Sequence, residues 1–171
     1  IVYTDIILPK NAPAEYADRA TLWNAVQKIE KNKNARLAKE LDVALPITEN
    51  VETHKAIMKE YGQYLADQGM CVDLAIHKTE NNPHGHFLLT VRSIGEDGQW
   101  LPKAKKVNIL DEAGNRIPLL DEDGKQKKDR QGRKQWKSKD SRITDWGDRN
   151  TLLKWRIKWA DVCNKYLPHE C

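Results

Sequence analysis

Cys71-Val-Asp-Leu-Ala-Ile-His77 and His84-Gly-His-Phe-Leu-Leu-Thr-Val-Arg92, joined by Lys78-Thr-Glu-Asn-Asn-Pro83, decide the fold. In the first stretch Val72, Leu74 and Ile76 alternate with Asp73 and Ala75, a period of two that predicts a strand over 71–77. The second predicts a strand over 84–92. The polar connector folds one strand back on the other, antiparallel. His84 and His86 are two apart, so both rings leave one face of the sheet. The fold-back brings His77, at the end of its strand, close to His84. Three of the chain's five histidines thus converge at the mouth of one hairpin.

Imidazole suits Zn, Mn, Ni, Co or Cu. Three protein ligands leave positions open for a substrate oxygen, as a catalytic metal requires and a structural one does not. Pro83 stiffens the approach, and Gly85 is read as clearing space between the two ligands. His54 and His169 have no partner at ligand spacing and are read as surface residues.

Upstream of this hairpin, residues 2–8 predict a strand that stops at Pro9, and Pro13 can open a helical turn. Leu22, Trp23, Val26 and Ile29 recur at helical spacing and predict a helix over 21–39. Glu40-Leu-Asp-Val-Ala-Leu-Pro46 alternates as a half-buried strand, with Glu40 and Asp42 on the polar side. Asn50 or Thr53 caps a second helix running to about Gln68, with Gly69 as its stop. Together these predict an α+β fold, an antiparallel sheet with helices packed on one face.

Downstream the pattern changes. Gly95-Glu-Asp-Gly98, Asp111-Glu-Ala-Gly114, Asp121-Glu-Asp-Gly124 and Asp129-Arg-Gln-Gly132 are turn signatures for successive short hairpins, an insertion over 95–145 within a domain spanning 1–171. Their spacing fails that of a calcium loop, since no Glu stands at the twelfth position. Asp148 or Asn150 starts a last helix through Leu167, with Leu152, Trp155, Trp159 and Val162 on its core face.

Charge is uneven along these 171 residues. Residues 101–158 carry 17 Lys and Arg against 9 Asp and Glu, while the other 113 residues carry 12 against 16. The densest stretch, 125–142, has nine basic and two acidic residues and contains Trp136. Basic side chains beside an aromatic ring suit a phosphate backbone with a base stacked on the ring. No apolar run approaches the roughly 20 residues of a membrane helix. Three cysteines, an odd number at irregular spacing, speak against a disulfide framework and for a reducing cytoplasm.

Ile76-His77 followed by Glu80-Asn-Asn-Pro-His-Gly-His86-Phe-Leu-Leu-Thr90 resembles the three-histidine motif of the MobA/MobL relaxases, mobilisation endonucleases of the His-hydrophobe-His class. Tyr3-Thr-Asp-Ile-Ile-Leu-Pro-Lys-Asn-Ala12, Leu22-Trp-Asn-Ala-Val26, Lys33-Asn-Ala-Arg-Leu-Ala-Lys-Glu40, Ala44-Leu-Pro46 and residues 155–167 extend the likeness. The resemblance implies an enzyme that nicks one strand at a plasmid origin of transfer through a tyrosine that stays joined to the 5′ end. It implies one divalent metal, Mn or Mg before Zn, Ni or Co, held by His77, His84 and His86. Glu40 matches the family's strand carboxylate, which orients a ligand histidine or helps take the tyrosine proton; Asp42 is the weaker candidate. The implied partners are origin DNA as a single strand with an adjacent hairpin, accessory relaxosome proteins and a coupling protein, with no membrane. Lys103, Lys105, Lys106, Lys127, Lys128, Arg133, Lys134 and Trp136 are the expected duplex contacts, and Arg92 reaches either a phosphate or a rim salt bridge.

Two departures stand out. Gly85 is small where the class name asks for a hydrophobe. None of Tyr3, Tyr16, Tyr61, Tyr64 and Tyr166 matches the family's nucleophile, which lies upstream of the segment matching Tyr3. The sequence therefore reads as N-terminally incomplete, able to bind metal and DNA but not to nick. Three other readings compete. A rolling-circle replication initiator would place its tyrosine after the histidines, a phosphodiesterase using activated water would need none, and a DNA-binding module would hold a purely structural metal.

Overall fold

The computed structural model describes residues 1–78 and 81–167, so Glu80, His169 and Cys171 lie outside it. The chain divides into two compact units, Ile1–Leu101 with Thr144–Cys171, and Pro102–Ile143. The hairpin at 94–100 belongs to the first of these, so the second begins later than the sequence reading of 95.

Four strands build the sheet of the first unit: β1 (Tyr3–Ile7), β2 (Ala38–Ala44), β3 (Val72–His77) and β4 (His84–Thr90). Their order is β1-β3-β4-β2, and every pairing is antiparallel. The β3–β4 hairpin is therefore central, in the register that opposes His77 to His84 and Ala75 to His86. The helices are α1 (Arg19–Ile29), α2 (Val51–Ala66) and α3 (Arg149–Tyr166), with a 3₁₀ turn at Ala14–Ala17 behind Pro13. Among the described residues no helix is long and apolar enough to cross a membrane.

Alternation along the strands gives the sheet two unlike faces. Val72, Leu74, Ile76, Phe87 and Leu89 point to one side and are buried beneath α2 and α3 with Met58, Tyr61, Leu65 and Trp155. Each such side chain contributes about 1.5–3 kcal/mol on burial. The opposite face carries the histidines at one end. At the other end α1 covers it, through a smaller cluster of Leu22, Val26, Cys71 and Ile94 joined by Ile6 and Leu8. Arg19 pairs with both carboxylate oxygens of Asp73 at 2.7 and 2.8 Å, and the Trp23 indole donates to the same carboxylate at 2.8 Å. Helices on one face thus describe α2 and α3 but not α1.

Helix α1 ends ten residues before the sequence reading of 39. Beyond Ile29 the run Lys31-Asn-Lys-Asn34 offers nothing to bury, and the Glu30 amide closes the last turn on the Val26 carbonyl at 3.1 Å. The start of α2 follows expectation: the Asn50 side chain accepts from the Thr53 amide at 2.9 Å, a cap worth about 1 kcal/mol. In α3, Trp155 and Val162 are buried as expected, whereas Leu152 is exposed.

The second unit has no buried residue. Its stem pairs β5 (Ala104–Asn108) with β6 (Ser138–Arg142). Beyond the stem the ribbon branches. Ile109 donates to the Lys137 carbonyl, Lys137 to that of Ile117, and Ile117 to that of Ile109, closing a ring of three backbone hydrogen bonds at 2.8–3.2 Å. A second ring joins Leu119, Gln135 and Lys127 at 2.7–3.1 Å. Three hairpins leave these junctions, closed by the bridges Leu110–Arg116, Leu120–Gln126 and Lys128–Lys134. The sequence predicts successive hairpins; their branching is the structure's addition.

Candidate functional site

His77, His84 and His86 come together on the open sheet face, with ring centroids 4.8–5.2 Å apart. Their ligand atoms lie within 4.8 Å of one another. His84 donates Nδ1–H to the Asn82 carbonyl at 2.8 Å, which leaves its Nε2 lone pair outward. His86 turns Nδ1 to Asp42 Oδ1 at 2.6 Å and to Glu40 Oε1 at 3.2 Å, again leaving Nε2 available. His77 is held below the ordinary imidazole value, first by lost hydration and then by its neighbours His86 and His84. The neutral form needed of a ligand is thereby favoured. Three imidazoles with two tautomers fixed by oxygen acceptors fit a divalent first-row ion.

Both carboxylates reach His86. Asp42 opposes His86 directly across the β2–β4 ladder, and Glu40 opposes Leu88 one pair further on. Both point to the histidine face, as their alternation predicts; Glu40 makes the hydrogen bond to His86 Nδ1 at 3.2 Å, and Asp42 Oδ1 approaches to 2.6 Å as an ion-pair contact. Glu40 and Asp42 side chains are 59% and 68% exposed, so water screens their charge and their orienting hydrogen bonds matter more.

Gly85 serves a different purpose from the one read in sequence. Its missing side chain would point to the helix face, where it would overlap Sδ and Cε of Met58 and crowd Val43 Cγ2 at 3.3 Å. Met58 of α2 is fully buried. The residue between the two ligands is thus small because the core beneath is full.

His54 is another correction. It is fully buried on α2, with Nε2 2.8 Å from the Pro46 carbonyl and Nδ1 without a partner. Ligand spacing does not reveal this; the residue's place in the first turn of a helix packed on the sheet is the signal available.

Each tyrosine is committed elsewhere. Tyr3 donates to Asp5 at 2.7 Å, and its ring lies under Lys55 and Lys59 of α2, on the face away from the histidines. Tyr61 is buried and donates to the Trp155 carbonyl at 3.1 Å; burial, then Tyr64, pushes its hydroxyl up. Tyr64 packs against that same core. Tyr166 donates to Glu60 at 2.8 Å, and Tyr16 accepts from the Trp100 indole at 3.1 Å.

Arg92 is not poised for a phosphate. Its Nε donates to Glu30 Oε1 at 2.7 Å and its Nη1 to the Leu101 carbonyl at 3.3 Å, which is the salt-bridge alternative. The other expected DNA contacts, Lys103, Lys105, Lys106, Lys127, Lys128, Arg133, Lys134 and Trp136, all lie in the Pro102–Ile143 unit. Lys127, Lys128 and Lys134 are exposed there, while Arg133 is steered by Asp129 at 2.7 Å. The three hairpins share a backbone but not a charge. Asp111 and Glu112 face Arg116 in the first, and Asp121, Glu122 and Asp123 face Lys125 in the second. Lys128, Arg130, Arg133 and Lys134 outweigh Asp129 in the third.

Comparison with known proteins places these features in a family context. The model of the MobA/MobL family matches residues 1–171. A probable mobilization protein MobA of Bifidobacterium longum is 37% identical over 167 residues, covering 94% of this chain and 30% of the relative. A conjugal transfer protein TraA of Agrobacterium fabrum is 33% identical over 128 residues, 68% of this chain and 11% of the relative. The chain thus spans about a third or less of these relatives. A structure solved in a study of vancomycin resistance transfer in Staphylococcus aureus superposes with a TM-score of 0.73 at 31% identity, covering 96% of this chain and 69% of the other.

Proposed function

Because this chain belongs to the MobA/MobL family, we propose that it is the metal- and DNA-binding part of a relaxase that nicks one strand at a plasmid origin of transfer for conjugative mobilisation. The observation that carries this reading is the trio His77, His84 and His86 on an uncovered sheet face, with Asp42 and Glu40 behind His86. Bound by the three histidines, a divalent ion (by donor chemistry Mn, Zn, Ni or Co rather than the oxygen-preferring Mg) would supply Lewis-acid stabilisation of charge on non-bridging phosphate oxygens. The Asn82 carbonyl and the Glu40 carboxylate hold two of the imidazoles in the tautomer that presents Nε2. Glu40 is the candidate to orient His86 and to accept the proton of an attacking hydroxyl.

The attacking tyrosine is assigned to a segment joined ahead of Ile1. Two observations support that. The Val2 amide donates to the Ile76 carbonyl at 2.8 Å, next to His77, so a segment joined ahead of Ile1 would enter at the metal end of the sheet. β2 has no strand paired to its outer edge among the described residues, and a groove of about 740 Å³ lined by Glu40, Asp42, Trp155 and Trp159 borders it. Supercoiled plasmid carrying the cognate origin, incubated with Mn or Mg, tests the proposal. An upstream-extended chain should nick and become attached to the 5′ end, while residues 1–171 alone should not. Cleavage by the present chain without an adduct would replace the tyrosine mechanism with metal-activated water.

Duplex contact is assigned to the basic third hairpin and its stem, alongside accessory relaxosome proteins and a coupling protein as further partners. Replacing Lys127, Lys128, Arg133 and Lys134 with Ala should flatten the dependence of log K on log salt by roughly 3–4, at about 0.9 per phosphate contact. An unchanged slope would remove this hairpin from the interface.

A further inference from the structure

We infer that His54 is a positioning residue for the metal centre, acting through the Pro46 carbonyl on the strand end that holds the His84 loop. The inference rests on the metal reading above and concerns a residue outside the ligand set.

The route is short and made of observed hydrogen bonds. His54 sits in the first turn of α2, fully buried, and its Nε2–H donates to the Pro46 carbonyl at 2.8 Å. Pro46 follows Leu45, whose amide donates to the Pro83 carbonyl at 3.0 Å. Pro83 precedes His84, and Ala44 pairs with His84 in the sheet. The histidine therefore pins the exit of β2 to α2, and the exit of β2 pins the backbone that delivers a ligand.

A histidine is a costly way to fill this position unless the bond is used. Its Nδ1 is buried with no partner among the described residues, a loss that an apolar side chain would avoid. Pro46 cannot donate a ladder hydrogen bond, so the strand's own pairing ends there; its carbonyl takes the Glu49 amide at 3.3 Å within the turn, and the shorter His54 bond at 2.8 Å is the one that ties that turn to the interior of α2. His54 is also one helical turn from Met58, the side chain that fills the space under Gly85. One stripe of α2 thus reaches beneath the histidine hairpin at Gly85 and beside it at Pro46.

The test compares His54→Gln with His54→Asn. The Gln amide has the length to reach the Pro46 carbonyl; the Asn amide is one methylene shorter. Both are small polar replacements, so loss of packing is shared, and a melt of each variant corrects for stability. Titration with Mn or Zn should give parent-like affinity for Gln and affinity weaker by about tenfold for Asn, the lower range for outer-sphere partners. Exchange of the Leu45 amide, read without metal, should quicken by about tenfold in the Asn variant only, the same tenfold propagated one bond along the route. Equal affinity and equal exchange in the two variants would overturn the inference. If the parent binds no metal while the exchange difference persists, the metal reading fails and the clamp stands.

Discussion

The β3–β4 hairpin and the hairpins of the Pro102–Ile143 unit are all antiparallel ribbons, yet different forces hold them. In the first, Val72, Leu74, Ile76 and Phe87 are fully buried, and the ribbon is fixed by what lies beneath it. In the second no residue is buried, and turn chemistry fixes the ribbon. The Asp111, Asp121 and Asp129 side chains each accept from the amide four residues on, at 2.7–2.9 Å. Gly114, Gly124 and Gly132 each take a positive φ, 78–82°. A burial-fixed ribbon can hold three imidazoles in a constant arrangement. A turn-fixed ribbon can vary its surface freely, as the acidic and basic tips on one backbone show.

Glycine exposes the contrast, because each region uses it for a different reason. Gly85→Ala should destabilise the first unit by about 1–3 kcal/mol in urea titration, the usual cost of overpacking a filled core. The added methyl meets Met58, so in a Met58→Ala background the same substitution should cost much less, the coupling being read from the double-mutant cycle. Metal affinity should fall with Gly85→Ala, since the residues on either side are ligands. If Gly85→Ala is neutral, or if the Met58→Ala background does not lessen its cost, the space beneath the ligands is not what the residue serves.

The two regions were also unequally legible in sequence. Alternation around residues 71–77 and 84–92 exposed the sheet face and the histidine trio, because period-two burial leaves a direct trace in composition. It could not rank Asp42 against Glu40. Both alternate identically, and only the cross-strand register puts Asp42 opposite His86. Nor could it show that His54 is inside. A buried histidine shows only through its place on the core stripe of α2, four residues before Met58, and the Pro46 partner is eight residues away around a turn. The Asp-x-x-Gly repeats announced the turns of the second unit, since positive φ demands glycine. The two rings of backbone hydrogen bonds that branch it involve Ile, Leu, Lys and Gln main chains, which carry no side-chain signature. Helix α1 was read too long because propensity continues past Ile29 while the apolar stripe does not.

The smallest effect separates the two uses of glycine most cleanly. Gly124 has φ +79°, and an added Cβ there would meet nothing within 4 Å. The constraint is therefore on the backbone alone. Gly124→Ala should cost about 1 kcal/mol, the penalty of a left-handed conformation for an L side chain. It should appear as faster exchange of the Lys125 amide that Asp121 accepts, with the melt of the sheet unit unchanged. Gly124→Asn should restore most of that protection, because Asn tolerates the left-handed region. At Gly85 the order reverses: Asn is larger than Ala and meets the same methionine, so it should be the worse replacement. Asn beating Ala at one glycine and losing to it at the other would separate a ribbon shaped by its turns from one shaped by its core. The same ranking at both would mean that one of the two glycines has been assigned the wrong cause.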